Sequence, residues 1–143
     1  MLKNRFKKIL VPLDGSLNSI RGLNEAISLA RLGSSQITGI HVLPVYPKNL
    51  IGTFDTYVTY KSKLAKEFFE KAKTSAARHG IEFSQEILFG NDMARLITNY
   101  AKTSKMDIII LGSRGKGDPK AGFLGSVSNG ILHSSKIPVL IVK

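Results

Sequence analysis

Asp107-Ile108-Ile109-Ile110-Leu111-Gly112-Ser113-Arg114-Gly115 is the stretch that decides the fold. An apolar run with no polar alternation describes a strand buried on both faces, as in a parallel sheet covered by helices. The glycines then open a loop whose backbone can approach a ligand without Cβ obstruction. Nine residues separate Gly115 from Gly125-Ser126-Val127-Ser128, and residues 126–133 read as a helix. This succession sets unpaired N–H groups and the positive end of a helix dipole beside the loop. That is the physical basis of a phosphate cradle, with the hydroxyls of Ser126 and Ser128 as added donors.

Familiar phosphate motifs do not fit the spacing. In a P-loop a glycine stands five residues before the Gly-Lys pair and a Ser or Thr follows it. Gly115-Lys116 has neither. The dinucleotide fingerprint requires three closely spaced glycines after the first strand. On the residues alone, an ordinary surface loop is the alternative to a cradle.

Outward from this stretch, strand and helix signals alternate. Residues 9–13 are β-rich. Residues 18–32 carry Ile20, Leu23, Ala26, Ile27, Ala30 and Leu32 near helical spacing, with Gly33 as the terminator. Residues 36–43 form a second strand, stopped by Pro44. A long helix spans 54–79, with Leu64, Phe68, Ala72, Ser75 and Ala76 on one face and Gly80 as its cap. Residues 81–89 are the third strand. Asn91 reads as the N-cap of a helix over 92–104, whose apolar face is Met93, Leu96, Ile97, Tyr100 and Ala101. Val139-Leu140-Ile141-Val142 is the last strand. Strands separated by helices imply right-handed crossovers and a parallel sheet. The expected architecture is a single-domain α/β three-layer sandwich over residues 1–143, built on a five-stranded parallel sheet.

Bulk properties agree. A chain of 143 residues, 43% hydrophobic and 22% charged, is one globular domain. The absence of cysteine excludes a disulfide framework, a thiolate metal site and a cysteine nucleophile. No apolar run reaches the roughly 20 residues of a bilayer span. The basic start, Met1 to Lys8, leads into an apolar run that ends at Pro12-Leu13-Asp14, too short for a signal-peptide core, so a cytoplasmic location is expected. The net charge of +11 favours anionic partners: nucleotides, nucleic acid, acidic proteins or anionic membrane surfaces. The densest basic group, Lys61 to Arg78, is diluted by Glu67 and Glu70. Basic residues are not interleaved with aromatics on a strand, so specific nucleic-acid binding is not expected.

Gly112-x2-Gly115-x9-Gly125-Ser126, with Val127-Ser128 following, resembles the nucleotide-binding signature of the universal stress protein family. Residues 8–16 resemble that family's opening strand and turn, Ile40-His41-Val42 its second strand, and residues 107–115 and 137–142 its last two. The resemblance covers nearly the whole chain. It implies the strand order 3-2-1-4-5, an adenine nucleotide alpha hydrolase-like fold, and ATP as ligand. In that order the winding reverses between strands one and four, where ligands of open α/β sheets bind. Strand one ends at Pro12-Leu13-Asp14 and strand four at Leu111-Gly112, so motif and fold logic converge.

By the resemblance, Asp14 contacts the nucleotide or its Mg²⁺; otherwise it is a cap or turn aspartate. Pro12 and Leu13 shape the crevice floor. Val42 matches the position whose backbone meets adenine, and an amide offers the base edge one donor and one acceptor. Gly112, Ser113, Arg114 and Gly115 complete the loop, where Arg114, Lys116 and Lys120 are available to neutralise phosphate. The stretch Lys116-Gly117-Asp118-Pro119 departs from the family pattern there. His41 reads as a satisfied strand histidine, and His79 and His133 as helix-end residues. Tyr46, Phe54, Tyr57 and Tyr60 read as the packing face at the start of the long helix rather than as a lid. No catalytic residue stands out.

The expected function is an ATP-binding, nucleotide-dependent stress or regulatory factor, with slow ATP hydrolysis or self-phosphorylation left open by the resemblance. The alternative is a nucleotide-independent dimeric interaction protein of the same fold. An apolar final strand at a sheet edge invites pairing with a second copy. A homodimer through Val139–Val142 is therefore expected.

Overall fold

The computed structural model describes residues 5–45, 51–114 and 124–143, with the backbone alone for 51–55. Its elements are β1 (Lys8–Pro12), α1 (Leu17–Gly33), β2 (Gln36–Leu43), α2 (Ile51–Ala77), β3 (Phe83–Phe89), α3 (Met93–Thr103), β4 (Ile108–Gly112), α4 (Ser126–Ser134) and β5 (Val139–Val142). The strands form one parallel sheet in the order β3-β2-β1-β4-β5. The α/β sandwich and its strand order are as expected.

Every residue of β4 is buried, which is why its sequence shows no polar alternation. Successive side chains point to opposite faces. Ile9, Val11, Ile37, Ile108 and Ile110 therefore pack against α1 and α2. Leu10, Ile40, Val42, Ile109 and Leu111 pack with Ile97 and Ala101 of α3 and Ile131 of α4. At the base of the sheet, Asp107 Oδ2 accepts the backbone N–H groups of Lys7 and Lys8 at 3.0 and 2.8 Å, tying the start of β1 to β4.

Several element ends differ from the sequence expectation. The left-handed residue that closes α1 is Ser34, at φ 53, and not Gly33. Asp92, not Asn91, caps α3, its Oδ1 accepting the Arg95 N–H. The Asn91 Oδ1 accepts the N–H of Val45 instead. On α2, Ala72 and Ala76 are buried as expected, but the innermost residues before them are Ala65 and Phe69, while Leu64, Phe68 and Ser75 are half-buried. Gly39 on β2 supplies the reason, because a Cβ there would lie 2.7 Å from Phe83 Cζ and 3.0 Å from Phe69 Cε1. The missing side chain is the space the two aromatic rings fill. Tyr60 is exposed and Tyr57 is half-buried, with Lys61 Nζ 5.7 Å from its ring centroid; Tyr46 and the Phe54 side chain lie outside the described residues. Of the apolar residues that follow the helical spacing of α1, Ile20 and Leu32 are exposed.

Candidate functional site

A crevice of about 430 Å³ opens at the carboxyl ends of the strands. It lies where β1 and β4 part, with β2 and β3 on one side and β5 on the other. Pro12, Leu13 and Asp14 line it after β1, and Ile40, His41 and Val42 along β2. Leu111, Gly112 and Arg114 approach from β4, and residues 125–128 from α4. The volume is within the range of small-molecule sites.

The start of α4 is its most distinctive wall. Ser16 caps α1 and Asp92 caps α3, each with a side-chain oxygen. The N-cap of α4 is Gly125, which brings no side-chain cap hydrogen bond. The first amide to bond back into the helix is that of Asn129, to the Gly125 carbonyl at 2.9 Å. The N–H groups of Ser126, Val127 and Ser128 therefore have no acceptor within the helix. All three residues line the crevice. The Gly125 N–H is donated to the Ser113 carbonyl at 2.8 Å, so the amides without a helical acceptor start at residue 126.

Ser128 behaves differently from its sequence reading. Its buried hydroxyl donates to the carbonyl of Gly112 at 2.8 Å, and so does not point a proton at a ligand. Gly112 also has a packing duty, since a Cβ built there would fall 2.4 Å from the Asn18 carbonyl oxygen. Ser113 is buried, gives its N–H to Val142, and is not among the residues lining the crevice. Gly115, Lys116, Gly117, Asp118, Pro119 and Lys120 lie outside the described residues.

On the β1 side, Asp14 Oδ1 accepts the Ser16 N–H at 2.9 Å, a two-residue aspartate turn. Gly15 takes φ 81 to complete it, a conformation that favours glycine. Asp14 is thus a turn residue and a crevice residue at once, and the cap of α1 is Ser16.

Val42 has a buried side chain, but its backbone has another environment. In a parallel ladder, alternate residues aim their amides at the same neighbour. The Ile40 carbonyl accepts the Leu13 N–H at 2.8 Å, and the β1–β2 pairing ends at Pro12 and Ile40. Two residues further, the Val42 amide faces the β1 side beyond the end of β1, towards the crevice. His41 points to the other sheet face. Its Nδ1 lies 2.7 Å from the Leu13 carbonyl and its ring meets Phe68 edge-on, the satisfied strand histidine expected.

Sequence reading did not single out Ser19, Met93 or Ile97 for the crevice. Met93 and Ile97 were legible only as the core face of α3; their position in its first two turns beside α4 emerges from packing. A Cβ at Gly130 would fall 2.7 Å from the Ala94 Cβ, so α3 and α4 approach closely there.

Residues 5–143 match the universal stress protein family. The chain belongs to that family. Among its relatives, universal stress protein MJ0531 of Methanocaldococcus jannaschii is 30% identical over 144 residues, covering 99% of this chain and 84% of the relative. Universal stress protein YxiE of Bacillus subtilis is 32% identical over 148 residues, covering 96% and 99%. The solved structure of universal stress protein UspA from Lactobacillus plantarum superposes with a TM-score of 0.90 at 22% identity, covering 99% of this chain and 100% of that one. The structure of protein MJ0577 gives 0.88 at 28% identity, covering 97% and 96%. Universal stress proteins solved with cAMP, and from Archaeoglobus fulgidus with dAMP, share the fold at TM-scores of 0.76 and 0.71, with 20% and 23% identity. The first covers 98% of this chain and 99% of that chain, the second 97% and 99%. Among the described residues of this universal stress protein, no helix is long and apolar enough to cross a membrane.

Proposed function

We propose that this universal stress protein binds ATP in the crevice between β1 and β4 and acts as a nucleotide-dependent stress or regulatory factor. The observation that carries the reading is the uncapped start of α4. Three amides without helical acceptors line a crevice beside the end of β4. Anions are stabilised by such a terminus through its donors and its dipole. The Val42 amide supplies a donor and an acceptor suited to an adenine edge. Family members of the same fold were solved with cAMP and dAMP, which supports an adenine nucleotide here.

The residues also fit a magnesium nucleotide. Among the described residues no three His, Cys, Asp or Glu side chains converge into a metal site of their own. Asp14 is a carboxylate at the crevice. Magnesium keeps water ligands and takes one or two carboxylates with phosphate oxygens, which suits a single aspartate beside a triphosphate. Arg114, also in the lining, is the cation nearest this role. Binding, rather than fast turnover, is the assigned activity.

Assembly belongs to the same reading. β5 is an edge strand, and Leu140 on it is 42% exposed. Two copies pairing β5 about a two-fold axis would cover that edge.

The deciding experiment is mass spectrometry of small molecules released from the purified, denatured protein, followed by titration with ATP, ADP and AMP. An adenine nucleotide in stoichiometric amount and saturable ATP binding are expected. A protein that releases none and shows no heat with any of the three has the alternative role, a nucleotide-independent interaction protein.

A further inference from the structure

Helices in this sandwich run against the strands they cover, so helix C-termini and strand N-termini gather at the end away from the crevice. Exposed cations collect there. Arg5 precedes β1, Arg31 ends α1, Arg78 follows α2, Lys102 and Lys105 close α3, and Lys136 follows α4. The carboxylates nearby are Glu82 and Asp107, and Asp107 holds the backbone N–H groups at the start of β1.

Cations at helix C-termini are normally explained by the helix dipole. At two of these termini one carbonyl is bonded by a lysine at or just before the start of β1. Lys7 Nζ donates to the Gly33 carbonyl at 2.7 Å and Lys8 Nζ to the Ser104 carbonyl at 2.6 Å. Arg31, Lys102 and Lys105 add further positive charge at the ends of α1 and α3, beyond these two bonded ammonium groups.

Apolar side chains stand among them. Leu32, beside Arg31, is 86% exposed, more than the other exposed large hydrophobic residues described. Leu132, in the last turn of α4, is 46% exposed. Cations that share a pole with protruding leucines match an anionic bilayer, whose headgroups attract the charges and whose acyl boundary takes the apolar side chain. Nucleic acid would engage the cations through its phosphates and offer the leucine nothing.

We propose that the pole opposite the crevice docks on an anionic phospholipid surface, with Leu32 entering the headgroup layer. Docked this way, the crevice faces the aqueous side and stays open. The inference does not depend on the crevice holding a nucleotide.

Sedimentation with vesicles tests it, using phosphatidylserine mixed into phosphatidylcholine, and phosphatidylcholine alone. The protein is expected to sediment with the first only, and binding falls as salt shortens the screening length. Each cation near such a surface contributes roughly a fivefold change in partitioning, so the pair Arg31→Glu and Lys102→Glu loses well over tenfold. Leu32→Asn loses about tenfold through the missing insertion. Being so exposed, Leu32 can be changed without unfolding the protein, which a thermal melt verifies. Lys63→Glu with Lys66→Glu, on the exposed side of α2, changes binding much less. The proposal is overturned by absence of phosphatidylserine-dependent sedimentation, or by an equal loss in the α2 pair. Duplex DNA bound through the same cations, with Leu32→Asn without effect on vesicles, would make the pole a nucleic-acid face instead.

Discussion

The hydroxyl of Ser128 donates to the carbonyl oxygen of Gly112 at 2.8 Å, and the bond is buried. It joins the first turn of α4 to the last residue of β4 across the loop between them. The helix terminus that walls the crevice is thus fixed to the strand that floors it. Ser126, two residues earlier, is exposed at the same terminus and lines the crevice.

The two serines are expected to separate stability from affinity. Ser128→Ala leaves the Gly112 carbonyl without its buried donor and should cost about 1–3 kcal/mol of stability. Ser126→Ala should change stability by less than about 0.5 kcal/mol while weakening ATP by about tenfold, the scale of a hydrogen bond to a charged group. Urea denaturation and calorimetric titration of both variants measure the split. Equal effects on both quantities would contradict it.

Asp14→Asn isolates charge from geometry. An asparagine Oδ1 still accepts the Ser16 N–H, so the turn and the melting temperature should persist. Affinity for ATP with Mg²⁺ should fall by about tenfold, and affinity without the metal should hold or rise. Loss of the same size in both conditions would leave Asp14 no part in holding the metal.

Gly112→Ala brings a Cβ to 2.4 Å from the Asn18 carbonyl oxygen and 2.6 Å from its carbon, both backbone atoms. Since α1 must move, a loss of about 2 kcal/mol or more is expected. Gly22→Ala, on the facing side of the same contact, meets Gly112 N at 3.1 Å and should cost less. Thermal melts of the two variants rank them.

Ser34 closes α1 in the left-handed region at φ 53, where a Cβ is disfavoured. Ser34→Gly should stabilise the protein by about 0.5–1 kcal/mol, because glycine adopts that conformation without the steric cost. Chemical denaturation reads the gain. A loss would mean that the serine side chain contributes more than its backbone strain removes.

Leu140→Asp puts a charge on the exposed face of the β5 edge. If β5 pairs with a second copy, light scattering should report a dimer for the parent and a monomer for the variant. A dimer unchanged by the substitution would move the interface elsewhere. Val139 is a poorer probe, because it packs against the core shared with α3 and α4.

Much of this was legible in the residues for definite reasons. The apolar run 108–111, bounded by Gly112, is short and β-branched as a strand covered on both sides should be, and β2 and β5 lie where their apolar runs lie. Element interiors were readable because burial imposes a period. Caps were less so. Asn91 and Asp92 are both good cap residues, and only the position of Val45 decides that Asn91 turns to it. Ala65 and Phe69 were missed on the face of α2 because the decisive partner of Phe69, Gly39, lies on another element and leaves its mark as an absent side chain.

The sequence by itself determined the order of strands and helices, the parallel sheet and the glycine-rich approach to α4, because these follow from periodicity and local backbone preference. It also brought Asp14 and Gly125 forward as candidates. The tertiary structure decided what each group does. It committed the Ser128 hydroxyl to Gly112, set Gly112 against Asn18, withdrew Ser113 from the crevice lining, and brought in Met93 and Ile97. The physical reason is that hydrogen bonds and close contacts are allotted among groups distant in the chain. A donor's role depends on which acceptor packing sets before it, and that acceptor carries no trace in the donor's own neighbourhood of sequence.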